Sequence, residues 1–162
     1  MTVRVGMGFD AHPRTAGRPL RLGGVEIPGS EGLEGHSDGD ALLHAITDAV
    51  LGAAGLPSIG ELFSDRDPAW HGADSARFLE RARELAAERG FRIGNVDGVV
   101  AAEAPRIAPH ASEMRSRIAG ILEIPTSSVS VRGTSTNGLG FLGRGEGIGA
   151  FAVVLLEKIS DS

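Results

Sequence analysis

Two kinds of apolar spacing take turns along this chain, and their interleaving restricts the folds open to it more than any other feature. Val3-Arg4-Val5-Gly6-Met7-Gly8-Phe9 alternates with period two and predicts a strand. Leu20, Leu22, Val25 and Ile27 flank Gly23-Gly24, which predicts a hairpin over residues 18–28. Residues 37–54 carry a helical stripe of Leu42, Leu43, Ile46, Val50 and Leu51, stopped by Gly55 and Pro57. A short helical turn and an Asp-rich loop follow over 59–68. A second helix spans 75–89, with Asp74 or Ser75 as its cap and Gly90 as its stop. A strand is predicted over 91–102, a third helix over 109–122, and further strands over 129–132 and 148–158. This order predicts an α/β (α+β) fold in which helices pack on one face of a mixed four- to five-stranded sheet. No linker or fixed-period repeat divides the chain, so residues 1–162 are expected to form a single domain.

Composition narrows the chemistry. The absence of cysteine excludes disulfides, a thiol nucleophile and any cysteine-ligated metal centre. Sixteen basic against 21 acidic side chains give a net charge of −5 and no basic stripe, which argues against nucleic acid as a partner. An anionic small ligand would have to be attracted locally, by a metal, a helix N-terminus or a few arginines. The longest apolar runs, such as 151–156, fall far short of the roughly 20 residues that span a bilayer. Met1 leads straight into Val3-Arg4-Val5 without a leader, so a soluble, cytoplasmic protein is expected. The 24 glycines are dispersed, which points to tight turns and close backbone approaches.

The sharpest chemical signal is Asp10-Ala11-His12 followed by His44. Residues two apart at a strand end point the same way, so Asp10 and His12 can present an oxygen and a nitrogen to one point. With His44 they form a two-histidine, one-carboxylate set that leaves one position open on a tetrahedral zinc. The plain alternative is that Asp10 caps a turn, His12 merely precedes Pro13 and His44 is a satisfied helix histidine. Asp40, His44 and Asp48 recur at steps of four, so a carboxylate on the same helix face could accept the other N–H of His44. Ser37-x-x-Asp40 also fits a capping box, which would place His36 just before a helix N-terminus suited to an anion. Phe63-Ser64-Asp65-Arg66-Asp67-Pro68 reads as a rigid acidic turn. Thr134-Ser135-Thr136-Asn137-Gly138 is a phosphate clamp or an ordinary turn. In Gly143-Arg144-Gly145-Glu146-Gly147 the two charges could pair with each other or with a symmetry mate.

Several of these segments, taken together, resemble one family. They are Gly8-Phe9-Asp10-Ala11-His12, Leu22-Gly23-Gly24-Val25, Gly35-His36-Ser37-Asp38-Gly39-Asp40, Asp65-x-Asp67-Pro68, Gly72-Ala73-Asp74-Ser75, Ala104-Pro105-Arg106 and Gly140-Phe141-Leu142-Gly143-Arg144-Gly145-Glu146-Gly147. The family is 2-C-methyl-D-erythritol 2,4-cyclodiphosphate synthase, and the resemblance covers residues 3–158. It implies a homotrimer with sheets gathered around a three-fold axis and active sites between neighbouring subunits. It implies cyclisation of 4-diphosphocytidyl-2-C-methyl-D-erythritol 2-phosphate with release of CMP, in non-mevalonate isoprenoid precursor synthesis.

The same resemblance distributes roles. Asp10, His12 and His44 match zinc ligands, with Asp10 and His12 also at the substrate, and a second ion, Mg2+ or Mn2+, sits on the diphosphate. His36 and Ser37 match contacts to the methylerythritol and phosphate end, His36 with a catalytic role. Ser58, Ile59 and Gly60 match a ribose segment, and Phe63, Ser64, Asp65, Arg66 and Asp67 a methylerythritol-phosphate loop. Ala102, Glu103, Ala104, Pro105, Arg106, Ile107 and Ala108 match a cytosine pocket contributed by the neighbouring subunit. Thr134, Ser135, Thr136 and Asn137 match the diphosphate loop, with Ser135 at a transition-state-stabilising hydroxyl. Arg144 and Glu146 match residues near a central cavity that in relatives can hold an isoprenoid diphosphate, and Phe141 and Arg144 are expected among the substrate contacts.

Three positions depart from the family pattern. The usual Asp is Ser58 here, which is expected to lower nucleoside affinity by about 1–3 kcal/mol. A frequent Pro is Ser64, a matter of loop stiffness, and the usual Glu or Asp that helps hold the second ion is Asn137, a weaker neutral ligand. These departures leave a second reading open, a catalytically weakened trimer that binds a cytidine nucleotide or an isoprenoid diphosphate.

Overall fold

The computed structural model describes residues 2–159; Met1 and residues 160–162 of the expected 1–162 domain lie outside the described residues. Strands β1 (Val3–Leu22), β2 (Val25–Leu33), β3 (Phe91–Ala101), β4 (Val129–Thr134) and β5 (Gly147–Lys158) form one mixed five-stranded sheet in the order β2-β1-β5-β3-β4. Only the β3–β4 pair is parallel. Helix α4 (Ala111–Leu122) makes the crossover between those two strands, as a parallel connection requires. The remaining helices are α1 (Ala41–Ala53), α3 (Ser75–Glu88) and the single turns α2 (Ile59–Leu62) and α5 (Gly140–Gly143).

The first strand runs well past its predicted end at Phe9. It pairs with β5 from Val3 to Pro13 and then with β2 from Arg14 to Leu22. Asp10 and His12 therefore lie within a strand and not at its tip. Pro13 and Pro19 read as breaks in the sequence, yet each sits where the ladder tolerates a missing N–H. Pro13 falls at the change of partner, and Pro19 lies between two register irregularities. The hairpin turn is as predicted, with Gly23 and Gly24 both at positive φ, as a two-residue primed turn demands.

Helix α1 starts four residues later than expected, because Asp40 and not Ser37 is its cap. The Asp40 carboxylate is fully buried and accepts the N–H of Leu43 at 3.0 Å. It also accepts Gly23 N–H at 2.9 Å and Gly24 N–H at 2.7 Å, which clasps the hairpin to the helix start. Leu42, Leu43, Ile46, Val50 and Leu51 form the core as their spacing predicted.

Contact between α1 and β1 runs through glycine. A Cβ on Gly8 would fall 1.8 Å from the carbonyl oxygen of Ala45, and one on Gly6 1.9 Å from that of Ala49. Backbone therefore meets backbone, and His44 is delivered beside Asp10 and His12. The other face of the β1–β5 pair is apolar and exposed: Val5, Met7, Phe9, Phe151 and Val153 point outward. Phe9 and Phe151 lie across from each other with ring centroids 4.8 Å apart.

Candidate metal centre and active site

Asp10 and His12 project from the same side of β1, and α1 brings His44 down onto them. Asp10 Oδ2 lies 2.7 Å from His12 Nε2 and 3.0 Å from His44 Nδ1, and the two nitrogens are 3.2 Å apart. Ligands about 2.0–2.1 Å from a tetrahedral zinc stand roughly 3.3 Å from one another, so this triangle needs only slight expansion to hold one. The three side chains are 13–27% exposed. Burial pushes the Asp10 carboxyl up, but hydrogen bonds and charge from His12 and His44 outweigh it and hold the group well below the usual carboxylate range. Burial pushes the His12 imidazole down, and its hydrogen bond to Asp10 with that carboxylate's charge raises it above its ordinary value overall. A carboxylate held ionised between two imidazoles is electrostatically suited to a cation. The plain alternative for these residues does not hold, since Asp10 caps no turn and both imidazoles converge on it.

The far nitrogen of His44 does not meet Asp40 or Asp48. Asp40 folds over the helix end, and Asp48 accepts the N–H of Ile59 at 2.9 Å, fixing the start of α2. His44 Nε2 instead faces the hydroxyls of Ser75 at 2.8 Å and Ser37 at 3.1 Å.

The loop bearing His36 and Ser37 is pinned by Arg18, which donates to the carbonyls of Ser37 at 2.6 Å and Gly35 at 3.3 Å. Gly72 N–H donates to the carbonyl of His36. His36 stands five residues before α1 and not at its first turn; its exposed ring reaches Asp65 at 3.6 Å.

A cavity of about 320 Å³ opens beside the triangle, lined by His12, His36, Ser37, His44, Ile59, Gly60, Phe63 and Asp65 together with Trp70 and Phe78. Phe63, Trp70 and Phe78 stack within 4.7–5.3 Å of one another and make its apolar wall. Trp70 and Phe78 were not foreseen. Helical spacing marks Phe78 as core, and the lone tryptophan was the signal that a wall residue stood there. Ser58 caps α2, its hydroxyl donating to Glu61 at 3.2 Å. Ser64 closes an exposed turn with Arg66 and Asp67.

The other expected residues gather elsewhere. Ala102, Glu103, Pro105, Arg106, Ile107 and Ala108 line a separate cavity of about 250 Å³ with Thr134 and Ser135. Arg14 holds this loop by donating to the carbonyl of Ala104. Glu103 accepts the N–H of Thr136 at 2.9 Å, and Ser135 donates to Asn137 at 3.4 Å. Asn137 adopts a left-handed φ of 54°. Arg144 and Glu146 pair with each other at 2.9 Å, across a turn and not along an extended strand, and Phe141 is exposed nearby.

Comparison with known proteins agrees with this geometry. Residues 3–157 match the YgbB family. The chain is 52% identical over 156 residues to 2-C-methyl-D-erythritol 2,4-cyclodiphosphate synthase of Shouchella clausii, covering 96% of this chain and 98% of that one. It is 53% identical to the enzyme of the same name from Halalkalibacterium halodurans, covering 96% and 99%. Among solved structures, a CDP complex of IspF from Plasmodium falciparum superposes with a TM-score of 0.86 at 36% identity, covering 98% and 97%. The bifunctional IspDF of Campylobacter jejuni superposes with a TM-score of 0.94 at 41% identity; this chain covers 43% of that longer one and 98% of itself. The chain thus belongs to the YgbB family, that of the 2-C-methyl-D-erythritol 2,4-cyclodiphosphate synthases.

Proposed function

We propose that this chain cyclises 4-diphosphocytidyl-2-C-methyl-D-erythritol 2-phosphate to 2-C-methyl-D-erythritol 2,4-cyclodiphosphate with release of CMP. It is a phosphorus–oxygen lyase of isoprenoid precursor synthesis by the non-mevalonate route, and residues 1–162 act as one domain. The observation that carries this is the Asp10–His12–His44 triangle at the edge of an apolar-walled cavity, in a chain half identical to enzymes of that name.

In the reaction an oxygen of the 2-phosphate attacks the β-phosphorus. The bond from that phosphorus to the bridging oxygen breaks, and CMP leaves with the electron pair. A phosphate monoester is already anionic at neutral pH, so the attacking oxygen needs no strong base. The difficulty is bringing anions together in line, which positioning and fixed positive charge solve. A divalent ion held by Asp10, His12 and His44, which we assign as zinc from its nitrogen and oxygen ligands, would supply charge and Lewis acidity at a phosphate oxygen. His36 and Ser37 stand beside that position and orient the methylerythritol phosphate. Phe63 and its loop to Asp67 enclose the methylerythritol carbons, and the 58–60 segment meets the ribose. Ser135 donates to the oxygens of the β-phosphate, and Thr134, Thr136 and Asn137 complete a diphosphate loop for Mg2+ or Mn2+.

The 102–108 cavity and the metal-centre cavity share no lining residue, which is in keeping with a homotrimer in which residues 102–108 of one copy serve the metal centre of the next. The uncovered apolar face of β1 and β5 supports assembly through that side of the sheet. Among the described residues no helix is long and apolar enough to cross a membrane, in keeping with a cytoplasmic enzyme. Incubation with the cytidyl substrate and a divalent metal tests the reading. Stoichiometric CMP and cyclic diphosphate are expected; saturable binding without turnover would replace it with a nucleotide-binding trimer.

A further inference from the structure

We propose that Ser75 and Asp38 are positioning residues that set the tautomer and tilt of His44, so that its Nδ1 lone pair is presented to a metal. The inference rests on the metal reading above and concerns residues to which no role has been given. Ser75 is the first residue of α3 and is fully buried, 31 positions from His44 in sequence. Its hydroxyl lies 2.8 Å from His44 Nε2 and in hydrogen-bond contact with Asp38 Oδ1.

The direction of this chain follows from valence. A carboxylate can only accept, so the Ser75 O–H points at Asp38. A serine hydroxyl has one proton, so its remaining lone pairs are what His44 Nε2 meets. Nε2 must then carry the hydrogen, and Nδ1 is left bare on the side of Asp10 and His12. Asp38 is itself held for this task. Its Oδ1 also accepts Asp40 N–H at 3.1 Å, and its Oδ2 accepts Ser75 N–H at 3.1 Å. Three donors thus fix one acceptor, two of them from the helix start that carries Ser75. Polarisation from the carboxylate through the hydroxyl increases the basicity of the liganding nitrogen.

The arrangement also separates two serines of similar appearance. Ser37 Oγ is 3.1 Å from His44 Nε2 and receives Gly39 N–H at 3.4 Å, but it borders the open cavity. With the Ser75 proton on Asp38, the Ser37 hydroxyl can donate to Ser75 Oγ at 3.4 Å or turn to an anionic ligand in the cavity.

Zinc affinity measured by competition with a chromophoric chelator tests the assignment, with the His44 ring N–H followed by NMR in the zinc-loaded protein. Ser75→Ala is expected to weaken zinc by about 10–100-fold and expose the ring N–H to rapid exchange, and Ser75→Thr to restore both. Asp38→Asn is expected to weaken zinc at least as much. A neutral amide polarises the Ser75 hydroxyl less than a carboxylate, and its NH2 group opposes one of the backbone N–H groups that Asp38 accepts. Ser37→Ala is expected to leave zinc affinity near the unaltered value. Equal zinc affinity and an unchanged ring signal in Ser75→Ala and Asp38→Asn would overturn this inference alone. Failure of the unaltered protein to take up zinc would overturn it together with the metal reading. Thermal melting separates a merely structural role: the zinc-dependent rise in Tm should shrink while the zinc-free Tm holds, and the opposite pattern would also count against the proposal.

Discussion

The metal triangle and the 134–137 loop are built on opposite plans. Asp10, His12 and His44 are largely buried, mutually bonded and brought together by one strand and one helix seated on each other without side chains between them. Thr134, Ser135, Thr136 and Asn137 are exposed or nearly so, and bond mainly to themselves and to Glu103. The first region is complete in a single chain and poised for a cation. The second is open to solvent, and in the proposed trimer its opposing wall comes from another copy. If the proposed reaction needs both, folding controls it at one end and assembly at the other.

The largest effect that separates the two should come from His44→Ala. It is expected to abolish zinc uptake and CMP release while sedimentation shows the assembly intact; loss of assembly would mean that the two regions are not independent. A composite site makes a second, nearly as large prediction. His44→Ala and Ser135→Ala proteins, each strongly impaired, should regain activity when unfolded, mixed and refolded together, because some sites then combine two unaltered halves. Absence of recovery would place the whole site within one chain.

Next in size is Gly8→Ala. Its methyl would meet the Ala45 carbonyl, so α1 must shift, at a cost of about 1–3 kcal/mol in denaturant melts. Zinc affinity should fall with it, whereas a change of equal cost in α4 should leave zinc affinity alone.

Acidity provides a further contrast. The lowered Asp10 value makes its stabilisation present above the unfolded value of about 3.9 and lost only as pH falls through the depressed one. The raised His12 value makes its stabilisation complete below about 6.5 and lost as pH climbs through the elevated one. In the metal-free protein the pair therefore contributes most between about pH 4 and 6.5. Metal needs neutral His12, so the zinc-dependent gain in Tm should shrink from pH 8 to pH 6. A gain independent of pH would remove His12 from the ligand set. The smallest change should come from Asn137→Asp, expected to lower the Mg2+ concentration for half-maximal activity several-fold without altering zinc affinity.

Much of this is legible in the sequence. Asp10 and His12 were legible because a two-residue step on a strand has only one geometric meaning. His44 was legible because it stands on the next helix, in step with Asp40 and Asp48, where it can complete the set begun by the Asp-x-His pair. What escaped depends on contacts distant in sequence. The true cap of α1 is decided by two amide hydrogens of a hairpin 16 and 17 residues upstream, which local spacing does not reveal. The partner of His44 escaped for the same reason, since Ser75 reads locally as a helix start and Asp38 as a turn residue. The turn over Gly140–Gly143 was hidden by its two glycines, which lower helix propensity on their own. The long β1 was hidden by prolines placed where the ladder changes hands.

The seam of Gly6 and Gly8 against α1 has a consequence for how such a chain can drift. Elsewhere in the interior, exchanging one aliphatic residue for another nudges a helix by a fraction of an ångström. Along this seam the spacing is set by atoms that no coding change short of adding a side chain can alter. Substitutions can thus accumulate through the aliphatic interior while the reach from strand to imidazole stays constant.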